Sequence, residues 1–119
     1  MSECHYCQHE LSIARFECRH CGVALEGQFG QPRLGRLPAE MQQLAEQLLL
    51  AGGNLKEVAG WQNISYPTLR KRVDDLIARL QELRSGDEAE TRRLLDEVEK
   101  GHLQPEQAAR LIREANHGA

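Results

Sequence analysis

Gly53-Asn54-Leu55-Lys56-Glu57-Val58-Ala59-Gly60-Trp61-Gln62-Asn63-Ile64-Ser65-Tyr66-Pro67-Thr68-Leu69-Arg70-Lys71-Arg72 is the stretch on which the reading of the fold turns. It reads as a short helix from Asn54 to about Gly60, a turn at Gln62-Asn63-Ile64, and a second helix capped by Ser65 and entered at Tyr66. The turn demands one left-handed backbone position, and Asn63 is a residue type that tolerates it. Val58, Ile64, Leu69 and Val73 have the spacing to close a small core, with Trp61 expected as a further core anchor.

Upstream, Pro38 and Glu40 suit the first turn of a helix. Met41, Leu44, Ala45, Leu48 and Leu49 then keep a helical stripe until Gly52-Gly53 ends it. Downstream, Leu69, Val73, Leu76, Leu80 and Leu83 alternate at four and three residues, which predicts a helix to about Arg84, roughly 28 Å long. Ser85-Gly86-Asp87 is expected to break it. An acidic helix over 87–100 follows, with Leu94, Leu95 and Val98 on one side. Gly101 to Gln104 turns the chain, and Pro105 opens a last helix with Ala108, Leu111 and Ile112 inward. The tail Asn116-His117-Gly118-Ala119 is expected to fray. No internal repeat is read along the chain.

The N-terminal 30 residues differ in kind. They hold all four cysteines, as Cys4-x2-Cys7 and Cys18-x2-Cys21 separated by ten residues. Leu11, Ile13 and Phe16 lie near strand alternation, and Val23, Leu25 and Phe29 suggest a second strand. Two such cysteine pairs on tight turns can converge on one tetrahedral ion, and Gly22 supplies the positive φ that a knuckle needs. So small a segment buries little, so a bound metal would supply much of its folding energy. Free or redox-active cysteines and a rubredoxin-like iron site are the alternatives. His5, His9 and His20 are expected outside the metal's inner shell. Four thiolates leave no open position for catalysis. The expected cofactor is one structural Zn2+ on Cys4, Cys7, Cys18 and Cys21.

Fifteen basic and eighteen acidic residues give a net charge of −3, which argues against a strongly basic nucleic-acid coat. The excess acid falls entirely within residues 87–119, with eight acidic against five basic side chains, so a local basic face elsewhere stays open. No apolar run is long enough to cross a bilayer, and the first residues lack the features of a signal peptide. A cytoplasmic protein with no membrane partner is expected. There is no nucleophile–base pairing and no phosphate loop, so neither an enzyme nor a small-molecule substrate is expected.

On a helical wheel with Leu69, Val73, Leu76 and Leu80 inward, Pro67, Thr68, Lys71, Asp74 and Asp75 point outward, flanked by Arg70 and Arg72. Thr68 and Lys71 are placed to approach bases, with Arg70, Arg72 and Lys56 on phosphates. Asp74 and Asp75 oppose that unless they lie beyond the groove. The stretch resembles the helix-turn-helix of the Fis-type DNA-binding fold through Gly53-Asn54, Ile64 and Thr68-Leu69-Arg70-Lys71. The resemblance implies DNA contacts from Asn54, Lys56, Ser65, Tyr66, Thr68, Arg70 and Lys71, with departures at Tyr66 and Pro67.

Over most of residues 4–80 the chain is also similar to a prokaryotic family, domain-of-unknown-function family 2089. The likeness is carried by the paired-Cys start, Leu25-Glu26-Gly27 leading to Pro32-Arg33-Leu34, Gly53-Asn54-Leu55-Lys56, Ile64 to Arg70, and Val73-Asp74-Asp75-Leu76-Ile77. It implies a zinc ribbon joined to a helix-turn-helix. Glu99 to Ile112 resembles a short helical hairpin at the ends of bacterial proteins, which implies oligomerisation or docking.

The expected fold is mainly α. A small β zinc ribbon (1–30) and a linker (31–37) precede a trihelical helix-turn-helix (38–84) and a C-terminal helical hairpin (87–116). The expected function is a zinc-containing transcriptional regulator that binds double-stranded DNA as a homodimer. The alternative is a protein-binding adaptor on a sigma factor or polymerase.

Overall fold

The computed structural model describes residues 3–117, with side chains up to residue 113. Of the tail expected to fray, Asn116 and His117 instead continue the last helix, and Gly118 and Ala119 lie outside the described residues. Two strands, β1 (Ile13–Glu17) and β2 (Ala24–Phe29), form an antiparallel ribbon. A 3-10 turn at Arg33–Arg36 follows, then four helices: α1 (Ala39–Leu50), α2 (Leu55–Gln62), α3 (Tyr66–Glu99) and α4 (Pro105–His117). The fold is mainly α with a small N-terminal β element, as the sequence predicts.

The helix boundaries follow local chemistry. The α1 helix ends where Gly52 and Gly53 take φ of 62° and 84°, angles that cost glycine least. Asn54 caps α2 by accepting the Glu57 N–H at 3.3 Å. Asn63 ends α2 at φ 56°, ψ 46°, the left-handed position expected of it. Ser65 caps α3 by accepting the Thr68 N–H. Pro67 then lies in the first turn, where no backbone donor is missed.

Leu37, Leu44, Val58, Ala59, Leu69, Val73 and Leu76 form the core, with Met41, Ile64, Leu80 and Leu83 packed around them. Two expectations are corrected here. Trp61 is half exposed rather than a core anchor, because Val58 and Ala59 take the inward positions of α2. The supposed linker is part of the body. Leu37 is 1% exposed, and Gln42 Nε2 donates to the Gly35 and Leu37 carbonyls at 3.0 and 2.8 Å.

The largest correction concerns Ser85-Gly86-Asp87. These residues do not break the helix, and α3 runs unbroken for 34 residues, about 50 Å. A mid-helix glycine costs only about 1 kcal/mol relative to alanine. Here Arg84 pairs with Glu88 across the site at 3.1 Å, and Asp87 is buried against two arginines. The expected hairpin is therefore the second half of α3 turning through Gly101 (φ 76°) into α4. Its apolar stripe closes within the chain, with Leu94 and Ala108 buried.

Candidate nucleic-acid interface and cysteine knuckles

The α2–turn–α3 unit presents the N-terminal end of α3 to solvent. Thr68, Arg70, Lys71 and Arg72 are all exposed, as are Asn54 and Lys56 at the start of α2. Tyr66 is 45% exposed. The structure thus exposes the predicted residues at the N-terminal ends of α2 and α3 but divides them by occupation. The Asn54 and Ser65 oxygens serve as helix caps, and the Ser65 hydroxyl also bonds Thr68 Oγ1 at 2.7 Å. Arg70 pairs with Asp74 at 3.3 Å, an exposed i,i+4 contact worth a few tenths of a kcal/mol that a phosphate readily displaces. Arg72 Nη1 donates to Gln62 Oε1 at 2.9 Å, and Gln62 Nε2 donates to Gln47 Oε1 at 2.7 Å. That chain ties α1, α2 and α3 together. Lys56 and Lys71 have no ion-pair partner among the described residues and are the cations most available to a ligand.

The cysteines form two knuckles of the same construction. In the first, Cys4 N donates to the His9 carbonyl, Gln8 N donates to the Cys4 carbonyl, and Gln8 takes φ 61°. In the second, Cys18 N donates to the Val23 carbonyl, Gly22 N donates to the Cys18 carbonyl, and Gly22 takes φ 79°. A bridge closes the first at Glu3 and Glu10, and the β1–β2 ladder closes the second at Glu17 and Ala24. This is an internal repeat that the sequence reading missed. Glu3-Cys4-x2-Cys7 and Glu17-Cys18-x2-Cys21 are its signature.

Within each knuckle a backbone N–H points at sulfur, Tyr6 N to Cys4 Sγ at 3.4 Å and Cys21 N to Cys18 Sγ at 3.5 Å. The Tyr6 amide, then the Cys7 amide and thiol, hold Cys4 below the ordinary thiol range. The Cys21 amide, then the His20 amide and the Cys21 thiol, do the same for Cys18. Donors aimed at sulfur favour the thiolate, the form that ligates metal. His9 Nδ1 lies 3.0 Å from the Cys7 carbonyl oxygen, within hydrogen-bonding distance. Each pair is thus preformed. Among the described residues, however, no three His, Cys, Asp or Glu side chains converge as a coordinating group. A single tetrahedral site requires the two knuckles to approach.

An ionic cluster that sequence reasoning missed lies between these two regions. Asp87 is 8% exposed and accepts from Arg33 Nε at 2.8 Å and from Arg36 Nη1 at 2.8 and 3.1 Å. Arg36 Nε donates to Glu10 Oε1 at 2.6 Å. Burial alone lowers the Arg36 pKa, but hydrogen bonds and attraction to Asp87 and Glu10 outweigh it and raise the pKa above its ordinary value. The available signal was Arg33-x2-Arg36, because a 3-10 turn stacks i and i+3 on one side.

Among the described residues no helix is long and apolar enough to cross a membrane. No curated protein and no solved structure matches the chain. Residues 37–82 match the family model described as "Domain of unknown function (DUF2089)-HTH". The match starts at the buried Leu37 and covers α1, α2 and the first half of α3, leaving the knuckles and the hairpin outside it. Over this segment, about two fifths of the chain, the protein is similar to the helix-turn-helix of the DUF2089 family.

Proposed function

We propose that the chain is a transcriptional regulator that binds double-stranded DNA through the N-terminal end of α3, with one structural Zn2+ held by Cys4, Cys7, Cys18 and Cys21. The observation that carries the reading is the capped α2–turn–α3 unit, with Asn63 left-handed and Ser65 as cap, inside the segment that matches a helix-turn-helix family. Thr68 and Lys71 approach base edges in the major groove, and Arg70 and Lys56 hold phosphates. Arg72 supports the unit from within through Gln62. Asn54 and Ser65 approach the backbone with their capped helix ends, whose free N–H groups attract phosphate.

The metal part rests on the donor set and on two like knuckles with amides aimed at sulfur. Zinc there supplies folding energy and no chemistry, since four thiolates complete its shell. A homodimer fits the reading, because paired half-sites match a two-fold protein.

Selection of binding sites from random duplexes by the zinc-loaded protein tests the DNA reading. We expect an enriched motif, lost in Arg70→Ala/Lys71→Ala. Enrichment that survives the double variant places the contact elsewhere. Specific capture of a sigma factor or polymerase subunit with no salt-sensitive DNA binding favours an adaptor instead.

A further inference from the structure

We infer that the cysteine ribbon is a metal-responsive element whose state reaches the DNA-reading helix through Glu10, Arg36 and Asp87. This rests on the zinc reading above and goes beyond a purely structural role for the ion. Glu10 closes the first knuckle by its bridge to Glu3, next to His9, whose carbonyl takes the Cys4 N–H. The same Glu10 accepts from Arg36 Nε, while Arg36 Nη1 grips both oxygens of Asp87 in the middle of α3. Nε and Nη1 belong to one rigid plane, so moving Glu10 turns the fork that holds Asp87.

The surroundings prevent the shift from being absorbed elsewhere. Leu37, the next residue, is locked in the core, and the backbone at Gly35 and Leu37 is held by Gln42. Beside the ion pairs, ribbon and α3 are separated by a cleft of about 470 Å3 that Ser12, Phe29, Gly86 and Glu90 help to line. Each knuckle is preformed, but no three of the candidate ligands converge, so one ion on all four sulfurs brings together the knuckle that Glu10 closes and the one at the end of β1. Because α3 is unbroken from Tyr66 to Glu99, a change at Asp87 acts on the rod that carries Thr68 and Lys71.

The test is hydrogen exchange on the full chain, with chelator and with one equivalent of Zn2+, alongside a measurement of zinc stoichiometry. In the wild type we expect zinc to slow the amides of residues 84–94 about tenfold. Glu10→Gln keeps the Arg36–Asp87 fork but cuts the charged link to the ribbon. It should still take up one zinc, with residues 84–94 changing less than about twofold. If the wild type takes up one zinc and α3 exchange does not move, or if Glu10→Gln keeps the full effect, the coupling is overturned while the metal site stands. If no zinc is taken up, both fail, and the stoichiometry shows it.

Discussion

The trihelical unit and the cysteine ribbon are stabilised by opposite means. In the first, seven residues are buried in one cluster and capped helices enclose them. In the second, Phe16, Val23 and Leu25 remain half exposed or more. The ribbon relies on turn hydrogen bonds, on an Arg15–Glu26 cross-strand pair at 3.5 Å, and on one edge-on contact between Phe16 and Phe29, with ring centroids 4.9 Å apart. A unit that buries its own apolar surface folds without help, whereas one that cannot needs a ligand. The Arg33–Arg36–Asp87–Glu10 cluster joins the two.

On the proposed zinc site, removing the metal should separate the regions most sharply. Chelation, or Cys18→Ser, forfeits a binding free energy on the order of 10 kcal/mol. Heteronuclear NMR on the proposed zinc-loaded protein should then show the signals of residues 3–30 shifting and broadening while those of α1 and α2 keep their positions. Leu69→Ala breaks the comparison from the other side. It removes a fully buried side chain and should cost about 3–4 kcal/mol in urea unfolding while one zinc is still bound. Asp87→Ala strikes the junction, leaving Arg36 with Glu10 alone and the part-exposed Arg33 without its carboxylate, and should cost about 1–3 kcal/mol. Ser65→Ala removes one cap and should cost about 1 kcal/mol.

Gly86→Ala is the smallest and has the opposite sign. An added Cβ meets nothing within 4 Å, so the change should stabilise by about 0.5–1 kcal/mol. A loss of stability instead would mean that α3 is interrupted there.

The sequence made the trihelical unit legible because its signals are local. Asn54, Asn63 and Ser65 announce their caps and turn, and the Leu69-to-Leu83 stripe announces a buried face. It misled at Gly86 and at residues 31–37, where a distant partner decides the outcome. Nothing within a few residues of Asp87 shows that two arginines some fifty positions earlier will bury it. Once they do, the helix gains more than the glycine costs. Trp61 misled for a related reason, since composition favours burying tryptophan but Leu55, Val58 and Ala59 take the inward face of α2. For the candidate interface, the residue set was legible but not its division of labour. Whether Arg72 reaches toward a phosphate or toward Gln62 depends on where α1 places Gln47.

The most direct test of the central claim is a salt titration of binding to a selected duplex, comparing wild type with Arg70→Ala/Lys71→Ala. With Arg70 on a phosphate and Lys71 on a base edge, the slope of log affinity against log salt should become shallower by about 0.9 in the double variant, and sequence preference should weaken with it. Binding that keeps its full salt dependence without Arg70 and Lys71 would contradict the assignment of α3 as the helix that meets DNA.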